Sequence, residues 1–316
     1  MIGLEVLYVI GGAFFAAIAV LSARDATNPK RWKNTAFWGL FAISFLFGSH
    51  LPDFANGLVV IAMVLTAGFG GLGLGLPATT GPKERRESAL RLGNRLFLPA
   101  LAIPITALAG TFLFKRPELA GLVDPKQATL VSLILGVFVA LAIAMPMLRA
   151  KPITPLQEGR RLLDTVGWAA VLPQMLAALG AVFAAAGVGT AIGQIASDWL
   201  PSGSQLAAVV AYTFGMAIFT MIMGNAFAAF PVMTAGIGLP LIVLHFGGDP
   251  AIMGAIGMLS GFCGTLMTPM AANFNIVPAA LLELKDRNGV IRVQIPTAIL
   301  LLLANTALMY VLVFRF

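Results

Sequence analysis

Two short polar segments interrupt the most apolar part of this sequence. The first contains Gly224 and Asn225, and the second, residues 261–275, contains the pair Thr268-Pro269. A proline inside a helix removes one backbone hydrogen bond and clashes with the preceding turn, so the helix should break or kink there. In an apolar setting the freed backbone groups must be satisfied by protein, water, a substrate or an ion. The two segments are therefore the candidate binding site.

The polar side chains at these interruptions carry no charge. Between Trp199 and Leu282 the only formal charge is Asp249. Neutral amide and hydroxyl groups, together with the positive end of a half-helix, suit a small anion. The candidate substrate-binding residues are Gly224, Asn225, Thr265, Thr268, Asn273 and Asn275.

A simpler interpretation of one Thr-Pro pair is a kinked helix whose hydroxyls bond their own backbone. For an isolated pair that interpretation is favoured by about two to one, because membrane helices tolerate such kinks. Two interruptions in one neutral, Gly-rich region shift the balance toward the discontinuous helices and hairpin tip of a transporter. Gly254, Gly257, Gly261 and Gly264 recur along one helical face, which indicates close packing and also permits sliding.

A sodium ion is the cation that these residues would suit best, because hard cations prefer oxygen ligands. We expect it near Asn225, Thr265 and Asn275. No predicted span carries Lys, Arg, Asp or Glu in its centre, which disfavours proton coupling. Cys263 is the only cysteine, and the two histidines lie at predicted span ends, so neither a metal-ligand cluster nor a nucleophile with its base is evident. We expect no enzyme activity and no cofactor other than the possible sodium ion.

Composition predicts an all-α polytopic membrane protein. Of 316 residues, 59% are hydrophobic and 10% are charged, and the mean hydropathy is +0.93. A soluble domain would have about a quarter of its residues charged. Apolar stretches long enough to cross about 30 Å of hydrocarbon recur along the whole chain. They correspond to about nine or ten transmembrane helices.

The predicted spans divide the chain into two regions. Residues 1–164 form an N-terminal helical scaffold, and residues 165–316 form a C-terminal region with a hairpin at about 205–246 and a discontinuous helix at about 251–282. The hairpin is either re-entrant or a pair of short spans, since 42 residues are too many for one crossing. The other spans are expected at about 4–22, 34–50, 54–75, 96–114, 127–148, 165–187 and 293–314.

Basic residues cluster in the first, third and fifth loops, at about 24–33, 83–95 and 149–161. This pattern accounts for the net charge of +7 through membrane topology rather than a nucleic-acid partner. It places these loops in the cytoplasm and the N-terminus outside. The interval 190–204 has no Lys or Arg and is expected to be an outside loop. Residues 83–97 suit either a helix in the headgroup layer or a solvated loop.

The segments 224–227 and 264–275 resemble those of a bacterial membrane-protein family that was long described as of unknown function. That family is now identified as the larger membrane subunit of a two-subunit pyroglutamate (5-oxoproline) transporter, and it is grouped with the ion-transporter superfamily. The resemblance covers the whole chain. It implies secondary active transport of a small carboxylate by an elevator-like motion in the bacterial inner membrane.

The resemblance also implies a partner. A full superfamily member has two inverted repeats, each with a hairpin and a broken helix, whereas this chain has one clear set. A smaller membrane subunit would then supply the other half-site, and the two-subunit unit could form a homo-oligomer. Gly224-Asn225-Ala226 stands where better-characterised members have Ser-Asn-Thr. An alternative is a structural or assembly subunit in the lipid bilayer whose partner carries the substrate site.

Overall fold

The structure, a computed structural model, is predominantly helical. It describes residues 2–76, 81–116, 121–199 and 203–315, and within these the only β pairing is an isolated bridge between Ile2 and Val123. The chain divides into two compact units, Met1–Thr165 and Val166–Phe316. The predicted all-α polytopic fold class is confirmed.

Seven helical stretches among the described residues are long and apolar enough to cross a membrane: Leu4–Ala23, Lys83–Leu113, Ala128–Leu148, Thr154–Ala185, Gln205–Met223, Ala226–His245 and Gly289–Leu312. Three shorter helices are also apolar: Asp53–Gly68, Pro250–Leu266 and Ala272–Leu281. Lengths of 18 residues or more match the thickness of the hydrocarbon layer. The chain is a multi-pass membrane protein.

The first unit consists of helices joined by charged loops. Its described helices are α1 (Leu4–Ala23), α2 (Arg31–Phe47), α3 (Asp53–Gly68), α4 (Pro82–Leu92), α5 (Phe97–Leu113), α6 (Ala128–Leu148) and α7 (Thr154–Val166). Helices α1 and α2 pack through aromatic rings, with Phe15 in contact with Trp38 and Phe41. Helices α5 and α6 approach closely where Gly110 faces Ser132. Small residues allow such close contact between membrane helices.

The second unit contains the predicted site. After a 3₁₀ turn at Gly167–Val171 come α8 (Leu172–Ala185), α9 (Val188–Trp199), α10 (Gln205–Met223) and α11 (Ala226–Met233). A π-helical segment, Thr234–His245, continues α11, and α12 (Pro250–Leu266), α13 (Ala272–Leu281) and α14 (Gly289–Leu312) complete the unit. The core lies between α10, the π-helical segment, α12 and the end of α14.

Three local predictions require correction. The interval 190–204 was expected to be a loop, but α9 extends to Trp199, and its Gly189 and Gly193 lie against Gly236. The span predicted at 54–75 ends at Gly68, because residues 69–76 leave the helix and bond to the α1–α2 loop. Residues 83–92 are helical, so the solvated-loop alternative is wrong.

A buried polar junction joins the basic loops of the first unit. Arg160 on α7 forms an ion pair with Asp25 at 3.0 Å and donates to the Leu21 carbonyl. Asn34 on α2 donates to the Asp164 carboxylate at 2.9 Å, and its Oδ1 accepts from the Gly73 amide. The first and fifth loops of the charge pattern therefore lie next to each other in this unit, and Arg85 of the third loop lies 3.7 Å from Glu158 of the fifth.

The Asp25 carboxylate is held in its charged form. Burial alone raises the pKa of Asp25, but hydrogen bonds from Thr27 and the Arg160 guanidinium outweigh it and lower the pKa below its ordinary value. An acid whose pKa is lowered by folding stabilises the fold above its unfolded pKa of about 3.9. That contribution is lost only as the pH falls through the lower, folded value.

Replacing Asp25 by Asn should lower the melting temperature at neutral pH, because it removes the ion-pair partner of the buried Arg160. Breaking a buried pair on one side costs about 3 kcal/mol. The difference in melting temperature between the variant and the parent protein should stay constant down to about pH 4 and shrink below that pH. Thermal unfolding across this pH range measures it.

The matched control is Asp286→Asn, which removes an exposed pair with Arg292 at 3.2 Å. Exposed ion pairs contribute little. Equal destabilisation by the two substitutions would contradict the role assigned to Asp25.

Candidate functional site

Residues 205–245 form a helical hairpin with its tip at Gly224 and Asn225. Helix α10 ends at Met223, and its C-cap Gly224 has a φ of 73°, in the left-handed region that favours glycine. The Asn225 side chain then caps α11, its Oδ1 accepting from the Phe227 amide at 2.8 Å. The two arms lie side by side, with the Tyr212 hydroxyl 3.1 Å from the Thr234 hydroxyl. The predicted hairpin is confirmed, and Gly224 and Asn225 lie at the turn between its two arms.

The second interruption is a true helix break. Helix α12 ends at Leu266, α13 begins at Ala272, and the residues between them, including Pro269, are not helical. The side chain of Ala271, at the N-cap of α13, cannot cap the first amides of that helix. The discontinuous helix predicted at 251–282 is confirmed.

The hairpin tip rests directly on the helix break. The Thr268 hydroxyl donates to the Met221 carbonyl at 2.9 Å and accepts from the Met270 amide at 3.2 Å. Gly224 lies so close to the backbone of Met270 that an added Cβ would be 2.6 Å from its carbonyl oxygen. The two polar interruptions of the sequence thus form one structural site.

The buried side chain of Asn275 stabilises the break between α12 and α13 through hydrogen bonds. It is fully buried, and its amide nitrogen donates to the carbonyls of Thr265 and Thr268 at 2.8 and 2.7 Å. These are carbonyls that the interrupted helix leaves without backbone partners. The Thr265 hydroxyl donates to the Phe262 carbonyl of its own helix, at 2.7 Å. A hydroxyl bonded to its own helix is what the interpretation as a simple proline kink predicts, and Thr265 follows it.

The predicted site residues fall into two groups. The donors of Thr265, Thr268 and Asn275 are all engaged within the protein, and these side chains are nearly inaccessible. Asn273 is exposed, and Asn225 is partly exposed with its amide nitrogen not used in the cap. Among the six residues, only these two asparagines present side-chain donors to a ligand.

Two buried oxygens of this unit lack a hydrogen-bond partner among the described residues: Asn275 Oδ1 at the break, and Thr220 Oγ1 on α10, near Gly261 of α12. Leaving a buried polar group unpaired costs about 1–3 kcal/mol, so both are candidate ligands for an ion or a polar atom. Thr220 was missed by the sequence analysis. It lies one turn before Gly224 on α10, so its position on the same face as the tip could have indicated it.

The glycine face of α12 serves close packing. An added Cβ on Gly257, Gly261 or Gly264 would lie within 3.0 Å of Tyr212, Met216 or Ala217 on α10, whereas Gly254 makes only an ordinary contact with Phe230. These contacts hold α12 against the first arm of the hairpin. The packing role predicted for this glycine face is confirmed for Gly257, Gly261 and Gly264 but not for Gly254.

The fold and site define a multi-pass helical membrane protein with a hairpin tip apposed to a broken helix. The chain belongs to the DUF979 family, described as proteins of unknown function, whose model matches residues 5–314. No curated protein and no solved structure matches it.

Replacing Gly224 by Ala should destabilise the protein, because the left-handed backbone disfavours a Cβ and the Met270 carbonyl occupies its place. The conformation alone costs about 1–2 kcal/mol. The melting temperature of the purified protein measures the effect. Gly254→Ala, in the same unit with only an ordinary contact at 3.5 Å, should leave it nearly unchanged. A tolerated Gly224→Ala would refute the described contact between tip and break.

Proposed function

We propose that this chain is a membrane subunit of a secondary active transporter for a small carboxylate. The observation that carries the proposal is the apposition of the tip at Gly224-Asn225 with the break between α12 and α13. Unwound backbone and half-helix ends in the middle of an apolar unit are typical of transporter substrate sites.

An anionic substrate is favoured by the charges and dipoles at this position. Helices α11 and α13 both begin there, and a helix N-terminus attracts negative charge. Asp249, the one formal charge between residues 199 and 282, lies at the other end of α12, where it caps the Ile252 amide. Asn273 and Asn225 supply neutral donors that fix the orientation of the carboxylate.

The resemblance of segments 224–227 and 264–275 to the pyroglutamate-transporter family supports a more specific proposal for the substrate and the partner. The substrate is pyroglutamate (5-oxoproline), a smaller membrane subunit completes the site, and transport follows an elevator-like motion. The complex lies in the bacterial inner membrane with the N-terminus of this chain outside. The two-subunit unit is a candidate for homo-oligomerisation.

A second candidate function is a structural or assembly subunit. It is favoured by the engagement of Thr265, Thr268 and Asn275 in bracing the break, which leaves few donors for a ligand. Binding of labelled 5-oxoproline to the chain purified alone, compared with the two-subunit complex, separates the candidates. Binding only to the complex, unaffected by substitution of Asn225 or Asn273, would support the assembly role.

Asn273→Ala should reduce uptake of the labelled carboxylate about tenfold or more without lowering the melting temperature, because it removes an exposed donor to a charged group. Thr268→Ala should instead lower the melting temperature, since it removes the bond to the Met221 carbonyl. Uptake into vesicles containing both subunits and thermal unfolding measure the two effects. Thr268→Ser, which keeps the hydroxyl, is the control. Unchanged uptake in Asn273→Ala would contradict the assignment of this residue.

Sodium coupling is proposed because the site offers neutral oxygens, two of them buried and without a hydrogen-bond partner, and hard cations prefer such ligands. Replacing external sodium by choline should abolish concentrative uptake, and Thr220→Val should raise the sodium concentration for half-maximal uptake. Sodium dependence of initial rates measures both. Full uptake in choline would refute sodium coupling, but it would not contradict the proposed carboxylate site.

A further inference from the structure

Helix α4 is an exposed element of the first unit that the proposed function does not use. It is 11 residues long, and helices of this length are marginally stable in water without packing. Its main packing is against the turn Gly93–Leu96 that follows it, and Arg85 lies 3.7 Å from Glu158 on α7. Leu90 remains 78% exposed. The described residues therefore leave its outer face open.

The two faces of α4 differ. Arg85, Ser88 and Leu92, spaced as one helical stripe, are partly buried, and Arg85 lies beside Glu158 of α7. Lys83, Arg86 and Leu90, spaced in the same way, are exposed. A stripe that combines long basic side chains with a leucine suits the boundary between headgroups and acyl chains, where the basic ends reach the phosphate layer.

The position of α4 in the chain matches that boundary. Gly93, with φ of 50°, bends the chain between α4 and α5, and Lys83–Leu113 is one of the candidate membrane spans. Arg91 and Arg95, at the bend, are exposed. Because α5 crosses the hydrocarbon layer, the helix at its end lies at headgroup depth.

The charge of this surface favours an anionic partner. Two acidic groups near this surface are already in ion pairs, Asp25 with Arg160 and Glu158 with Arg161, and Asp164 is buried and accepts from Asn34 and Trp38. Glu84 is used at the start of α4, where it accepts from the Gly81 amide. The surface formed by Lys83, Arg86, Leu90, Arg91 and Arg95, here the α4 surface, carries four basic residues against the two acids of the same helix, Glu84 and Glu87.

We propose that the α4 surface binds the headgroups of anionic phospholipids. Leu90 enters the acyl-chain boundary, and Lys83, Arg86, Arg91 and Arg95 contact phosphates of the lipid layer. A neutral zwitterionic headgroup layer lacks the negative surface potential that attracts such a cluster, so phosphatidylglycerol is bound in preference to phosphatidylcholine.

The test measures lipid retained by the full-length protein purified from mixed micelles of phosphatidylglycerol and phosphatidylcholine. Phosphatidylglycerol should be enriched, and the triple variant Lys83→Gln, Arg86→Gln, Arg91→Gln should lose most of the enrichment, since each basic residue contributes about fivefold. The matched control removes three exposed basic residues at the opposite end of α5 and at the start of α6: Lys115→Gln, Arg116→Gln and Lys126→Gln. The control should keep the enrichment, and inorganic phosphate should not displace the lipid.

A second measurement leaves the basic residues of the α4 surface unchanged. Leu90→Cys in a Cys263→Ala background places a fluorescent label on the α4 surface, and brominated phosphatidylglycerol should quench it more strongly than brominated phosphatidylcholine. High salt should abolish the difference. Equal quenching by the two lipids, equal loss in the triple variant and its control, or displacement by inorganic phosphate would overturn the proposal.

Discussion

The second unit depends on the satisfaction of backbone groups where α12 is broken. In an apolar environment each carbonyl left open by the break carries a large free-energy cost. The Asn275 amide donates hydrogen bonds to the carbonyls of Thr265 and Thr268, and the Thr268 hydroxyl donates one to the Met221 carbonyl on the hairpin. One buried amide and one hydroxyl therefore make the interruption possible and join it to the hairpin tip.

This bracing divides the polar residues by task. A side chain whose donors satisfy the backbone cannot also give them to a ligand, so burial and hydrogen bonding separate Thr265, Thr268 and Asn275 from Asn225 and Asn273. The acceptor oxygens of these side chains are not all used in the same way. Asn275 Oδ1 remains without a partner although its amide nitrogen is fully engaged. One side chain can thus brace the fold and still offer an oxygen to a cation.

The positions of the tip and the break could be predicted from the sequence, because Gly224 and Pro269 act through local backbone geometry. The partners of the polar groups could not. Whether Thr268 bonds to its own helix or to Met221, 47 residues away, depends on tertiary packing that no local pattern encodes. The same reason explains the errors. Residues 190–199 belong to α9, which packs its glycines against Gly236 and leaves Ile195 exposed, so the absence of Lys and Arg alone could not separate this helix from an outside loop.

A site without charged side chains has a consequence for the proposed transport cycle. A buried Lys or Arg that held a carboxylate would be left unpaired whenever the substrate departed, and an unpaired charge in the membrane is costly. Helix ends and amides bind an anion through fixed dipoles, so the empty site is closer in free energy to the occupied one. The return of the empty carrier is then not blocked by an unpaired charge. In the proposed cycle, selectivity would then rest on the geometry of Asn225, Asn273 and the start of α13, where the exposed donors lie on a backbone stabilised by Asn275 and Thr268.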